Sequence, residues 1–115
     1  MKSFTIGEID RCLSSTRYTK EVTYFVRDGN DGLIKIGKSE VGSLEYRIQA
    51  LQTGNPRPLL IVGIIIGNVE KELHRKFKRY KVSGEWFRAG PNLVAYIAEH
   101  REKIPEQPQW KRGWR

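Results

Sequence analysis

Thr23–Gly37, TYFVRDGNDGLIKIG, decides the fold. Tyr24-Phe25-Val26 and Leu33-Ile34-Lys35-Ile36 are short β-prone runs. Asp28-Gly29-Asn30-Asp31-Gly32 between them supplies residue types that tolerate positive φ. The pattern predicts a hairpin with one strand from about Val22 to Arg27 and the other from about Leu33 to Gly37. Such a hairpin holds the Tyr24 phenol and the Lys35 ammonium at fixed places on neighbouring strands, a pair suited to handling phosphate.

Working outward, the loop Lys38–Ser43 leads to Ser43 as an expected N-cap. A helix then carries Leu44, Ile48 and Leu51 on one face, stopped by Gly54 and kept from resuming by Pro56 and Pro58. Leu59–Ile66 is a continuous β-branched run and reads as a strand buried on both faces, in the middle of a sheet. Asn68 is the expected cap of a second helix, with Val69, Leu73, Phe77 and Tyr80 facing inward and a basic outer face. Ser83-Gly84 turns into a short extended piece, Glu85–Arg88. Pro91 suits the first turn of a third helix bearing Leu93, Val94, Ile97 and Ala98, which Pro105 closes.

The expected class is α/β (α+β): a small three-stranded, mainly antiparallel sheet flanked by helices. Residues 1–20 form an N-terminal arm or short helix with Ile6, Ile9 and Leu13 on one face. Residues 21–104 form the domain, and residues 105–115 a basic, aromatic C-terminal tail.

At 115 residues the chain is one domain with a modest core. Its 21 Lys+Arg against 13 Asp+Glu give +8, which favours a polyanion, nucleic acid before anionic membrane. The single cysteine, Cys12, excludes an internal disulfide and argues against a zinc site. The longest apolar run is too short to span a bilayer, and the first residues lack an apolar signal core. The expected location is the cytoplasm.

Four motifs in order then resemble a known superfamily. Tyr24 is followed, after ten intervening residues, by Lys35-Ile36-Gly37-Lys38-Ser39; then come Leu51–Pro56 (LQTGNP), Glu70-x-x-Leu73-His74 and Gly84-Glu85-Trp86-Phe87. Together they resemble the GIY-YIG nuclease superfamily, in a phage-type branch whose second motif is KIG. Lys35 stands where better-known members carry a tyrosine, and Arg47, ten residues after Gly37, matches the helix arginine.

The resemblance implies a GIY-YIG domain that hydrolyses phosphodiester bonds with one divalent metal, Mg²⁺ or Mn²⁺, on Glu70. Unaided, a first-turn glutamate complements the helix dipole. Tyr24 is the expected water-activating group, with Lys35 either lowering the phenol's pKa or acting as the base itself. Arg47 is expected to fork onto a phosphate rather than form a surface ion pair with Glu40 or Glu45. His74, one turn after Glu70, is a candidate to orient water, ligate metal or protonate the leaving oxygen. Glu85 is a second acidic candidate, to join the metal site or hold Arg47.

Lys38, Thr53 and Asn55 are expected phosphate contacts. Lys71, Arg75, Lys78, Trp110, Lys111, Arg112, Trp114 and Arg115 are the expected nucleic-acid surface. The sequence thus points to a metal-dependent DNA endonuclease of phage or mobile-element type, nicking one strand of double-stranded DNA per active site. It is expected to be a monomer or weak dimer with no membrane partner. A catalytically inactive nucleic-acid-binding module of the same fold is the alternative.

Overall fold

A computed structural model describes residues 3–5 and 21–102. The expected helix through Ile6, Ile9 and Leu13, the closing Pro105 and the tail from Glu106 to Arg115 lie outside the described residues. Strands β1 (Glu21–Asp28) and β2 (Ile34–Glu40) form the expected hairpin. A single 3₁₀ turn (Val41–Ser43) leads into α1 (Leu44–Thr53), and β3 (Leu59–Ile66) and α2 (Glu70–Lys76) follow. A second 3₁₀ turn (Lys78–Tyr80) precedes β4 (Lys81–Ser83), β5 (Trp86–Phe87) and α3 (Pro91–His100).

The sheet has five strands rather than three, all paired antiparallel, in the order β3-β1-β2-β5-β4. The added pair is a small hairpin turned by Ser83-Gly84-Glu85, where Gly84 takes φ +56°. The hydrophobic strand β3 is at the edge, not in the middle. Its apolar continuity comes instead from helices on both faces. Other chain segments close its outer backbone edge. Phe4 N–H donates to Ile61 O (2.8 Å), Arg101 Nη1 to Val62 O (3.0 Å) and Glu102 N–H to Ile64 O (2.7 Å).

Alternation sends each strand's side chains to two cores. Val22, Tyr24 and Val26 pack with Leu44 and Ile48 of α1, whereas Phe25, Ile34 and Ile36 pack with Leu73 of α2, Phe77 just past its end, and Leu93 and Ile97 of α3. A bulge opposite Phe25/Val26 shifts the β1–β3 register from Gly63 to Ile61. This lets Ile61 and Ile64 both face α1 while Val62 faces α3.

Helix caps depart from expectation. Ser43 makes no side-chain cap bond, because the 3₁₀ turn runs directly into α1. Asn68 Oδ1 accepts from Glu70 N–H at 3.3 Å, but the cap position is Val69. Buried Thr23 fixes this junction from the sheet, accepting from Val69 N–H (3.0 Å) and donating to Gly67 O (2.9 Å).

Candidate active site

The site begins with the strand register. Cross-strand partners share a face, so Tyr24↔Gly37 and Val26↔Lys35 put the phenol and the ammonium on the α1 side. Gly37 is required by space: a Cβ there would sit 2.5 Å from both Cζ and the hydroxyl oxygen of Tyr24. The missing side chain makes room for the phenol, which lies over the strand and is 3% exposed.

Lys35 also pairs with Trp86 of β5. That register brings the preceding residue, Glu85, beside β2, and its Oε2 accepts from Lys35 Nζ at 2.7 Å. Glu85 O accepts from Ile36 N–H at 3.0 Å. N–H and C=O of one strand residue point to the same side. With β5 only two residues long, Ile36 O would otherwise stand at an open edge. His74 Nε2 fills the place, donating to Ile36 O at 2.9 Å, with its ring edge-on to Phe87 (centroids 4.9 Å). Nε2 therefore carries a hydrogen, and this face of the imidazole serves the backbone.

Glu70 reaches the same opening from the first turn of α2. Its side chain is 13% exposed, and Oε1 lies 3.8 Å from His74 Nε2. Oε2 is buried without a hydrogen-bond partner among the described residues. Burial raises the Glu70 carboxyl above its usual range, and the nearby Glu85 carboxylate raises it further. Burial acts in the same sense on Glu85, but the hydrogen bond and charge of Lys35 outweigh it and hold that carboxyl below its usual range. Two carboxylates thus meet at one opening, and one of them, Glu70, has an oxygen without a partner among the described residues.

These groups line one open cleft of about 690 Å³: Tyr24, Lys35, Lys38, Arg47, Glu70 and Glu85, with Ser43, Tyr46, Ala50 and Leu51 of the α1 side. Arg47 is exposed and makes no ion pair among the described residues, with neither Glu40 nor Glu45. Burial pushes the Tyr24 phenol up to about 12, Glu85 adds to this, and Arg47 opposes it. The cation acting on the phenol is thus Arg47 rather than Lys35, whose charge is engaged by Glu85. The phenol therefore stays protonated at neutral pH.

His74 stands behind Glu70 and is not among the groups lining the cleft. Thr53 and Asn55 are committed elsewhere. The Thr53 hydroxyl donates to Gln49 O (2.9 Å), and the Asn55 amide donates to Asp28 Oδ1 (2.9 Å) and Arg57 O (2.7 Å). No donor of either is left for the expected phosphate contact. Lys71, Arg75 and Lys78 are exposed, and Trp110, Lys111, Arg112, Trp114 and Arg115 lie outside the described residues.

Sequence reasoning passed over Tyr46, 76% exposed at the mouth of the cleft beside Arg47. It stands on the face of α1 opposite the Leu44, Ile48 and Leu51 stripe, where no local pattern marks it as part of a site. Among the described residues no three His, Cys, Asp or Glu side chains gather into a metal cage. The donor set instead suits a hard cation that takes one or two carboxylates and keeps its waters.

No curated protein and no solved structure matches the chain. The family model of the T5orf172 domain matches residues 21–104, the span that contains every element of the sheet and every residue of the cleft, and the chain belongs to the T5orf172 domain family.

Proposed function

We propose that the protein is a metal-dependent DNA endonuclease of GIY-YIG type that hydrolyses phosphodiester bonds and nicks one strand per active site. The carrying observation is the cleft, where two carboxylates, one with a buried unpaired oxygen, face an unpaired arginine, two lysines and a phenol. The T5orf172 domain is a nuclease-like fold family related to GIY-YIG, which supports the same reading.

Glu70, with Glu85 beside it, would hold Mg²⁺ or Mn²⁺ at the unpaired Oε2. When bound, such an ion would relieve the charge of the carboxylate pair and favour ionisation of the phenol and of the attacking water. The chain's own groups do the rest. Arg47 forks onto the non-bridging phosphate oxygens, and Lys38 adds positive charge at the rim. The Tyr24 hydroxyl, fixed over Gly37, positions the attacking water. Lys35 releases Glu85 or donates to the leaving oxygen. His74 acts as a positioning residue, holding the β2 edge next to Glu70.

Supercoiled plasmid incubated with the full chain in Mg²⁺ is expected to give open circles before any linear product. Arg47→Ala and Glu70→Ala are each expected to abolish cleavage with unchanged circular dichroism. Full activity in the Glu70 variant would sink the metal assignment.

The second reading is the inactive binding module, favoured by the Lys35–Glu85 pair and by a resting phenol held protonated. It requires DNA binding that survives a chelator, with no cleavage over long incubation.

A further inference from the structure

A second hollow of about 530 Å³ adjoins the cleft and shares Ala50 and Leu51 with it. Leu33, Leu51 and Trp86 give it apolar walls, and Asp28, Asn55 and Ser83 supply polar groups. Lys35 stands between the two spaces, lining the cleft while its Nζ lies 5.9 Å from the centroid of the Trp86 ring. A cleft lined by five charged side chains therefore adjoins a smaller hollow that is walled mainly by apolar side chains and carries one carboxylate, Asp28. Nucleic acid has the same alternation, an anionic phosphate with an apolar, planar base a short linker away.

Resting on the endonuclease reading, we propose that this hollow is a nucleobase subsite. It receives an unstacked base next to the phosphate held in the cleft, so the substrate strand is single or locally opened there. The walls supply contact for a flat ring, and Trp86 an indole surface. Both amide hydrogens of Asn55 are donated, one of them to Asp28 Oδ1 inside the lining, so the Asn55 carbonyl and the Ser83 hydroxyl are the polar groups that face a base there. Inside a duplex a base cannot enter such a pocket, so binding requires unpairing, which is easiest at a mismatch, bulge or single-stranded segment.

The test compares binding, in chelator, of an oligothymidylate with that of an abasic phosphodiester oligomer of equal length and charge. The full chain is expected to prefer the base-bearing strand by about ten-fold, the effect of stacking one base. Trp86→Ala removes the indole surface. Ser83→Phe fills the hollow from an exposed position that does not line the cleft. Both are expected to bring the ratio to about two-fold or less while affinity for the abasic strand holds.

Equal binding of the two strands by the wild type, or a wild-type ratio in both folded variants, overturns the subsite. Plasmid nicking in Mg²⁺, run alongside, reports on the endonuclease reading separately. A chain that never nicks, yet shows a base preference abolished by both variants, overturns the nuclease and supports the base pocket.

Discussion

Two ends of the same sheet carry polar side chains of similar kinds and use them in opposite ways. At the turn end, Gln52 donates to Asn55 O (3.2 Å) and Arg57 O (3.0 Å) and accepts from Leu59 N–H (2.7 Å). Asn55 bridges Asp28 and Arg57 O, and Arg57 pairs with Asp31 beside Gly29. There the groups mainly satisfy one another, and the LQTGNP stretch becomes a clamp between the α1–β3 loop and the hairpin turn. At the cleft end, Glu70 Oε2 and the Arg47 guanidinium are left unpaired among the described residues, and Lys35–Glu85 is the one short ion pair lining the cleft. Polar groups that close on each other hold a fold. Polar groups left open, at a cost of about 1–3 kcal/mol when buried, await a ligand.

The largest expected effect probes the join between backbone and chemistry. Gly37→Ala leaves φ unstrained, because Gly37 is not among the positive-φ glycines, but it drives a methyl into the Tyr24 phenol. Displacing that hydroxyl is expected to reduce the nicking rate about 100-fold. Overpacking lowers stability by only about 1–3 kcal/mol. Single-turnover kinetics beside thermal unfolding separate the two. A loss of stability with an unchanged rate would mean that Tyr24 has no part in the chemistry.

Gln52→Ala attacks the other end. Three hydrogen bonds are lost from a partly exposed loop, with an expected cost of about 1–2 kcal/mol and a fall in Tm of about 4–8 °C per kcal/mol. Cleavage per folded molecule is expected to stay within about two-fold of wild type, since Gln52 does not line the cleft. A large loss of rate at constant fold would show that the clamp also shapes the site.

The contrast between the ends explains what the sequence made legible. The hairpin, α1, β3 and α3 follow from turn residues, apolar spacing and Pro91, all of them local signals. The strands β4 and β5 are three and two residues long, too short for alternation to register. The edge position of β3 was hidden because a doubly covered edge strand has the same apolar run as a central one. Tyr24, Lys35, Arg47, Glu70 and Glu85 were individually visible through the resemblance. That Lys35 is held by Glu85, fifty residues away, depends on the β2–β5 register and on no local pattern. The commitments of Thr53 and Asn55 are hidden from the sequence for the same reason. Their residue types suit phosphate, and only the folded partners reveal that their donors are spent.

Alkaline pH sharpens the role of the buried phenol. Burial pushes Tyr24 from 10.0 up to about 12. Below pH 10 both folded and unfolded chains keep the proton. Between about 10 and 12 the unfolded chain alone ionises, so stability present at lower pH is lost as pH rises through that window. The loss attributable to Tyr24 is about 2–3 kcal/mol. Tyr24→Phe is expected to flatten this part of the profile in denaturant titrations at pH 9 and 11. Identical slopes for the two proteins would place the phenol in water rather than beneath Arg47 and Glu85.

The smallest effect distinguishes the two carboxylates from each other. Burial and Glu85 raise the Glu70 carboxyl, so its contribution to stability is present below its unfolded value and is lost as pH rises through the folded one. In chelator at pH 7 the wild type carries that loss, and Glu70→Gln does not. The variant is therefore expected to melt higher than wild type at pH 7, with the difference shrinking toward pH 4. Glu85 behaves oppositely, because Lys35 holds it ionised against burial: its contribution is present at pH 7 and lost on acidification. Glu85→Gln is expected to melt lower than wild type at pH 7, converging with it in acid. If both variants melted lower at pH 7, Glu70 would be a paired structural carboxylate like those at the turn end. If Glu70→Gln alone is stabilised, the unpaired oxygen at the cleft is a place where the fold forgoes stability to keep a charge available.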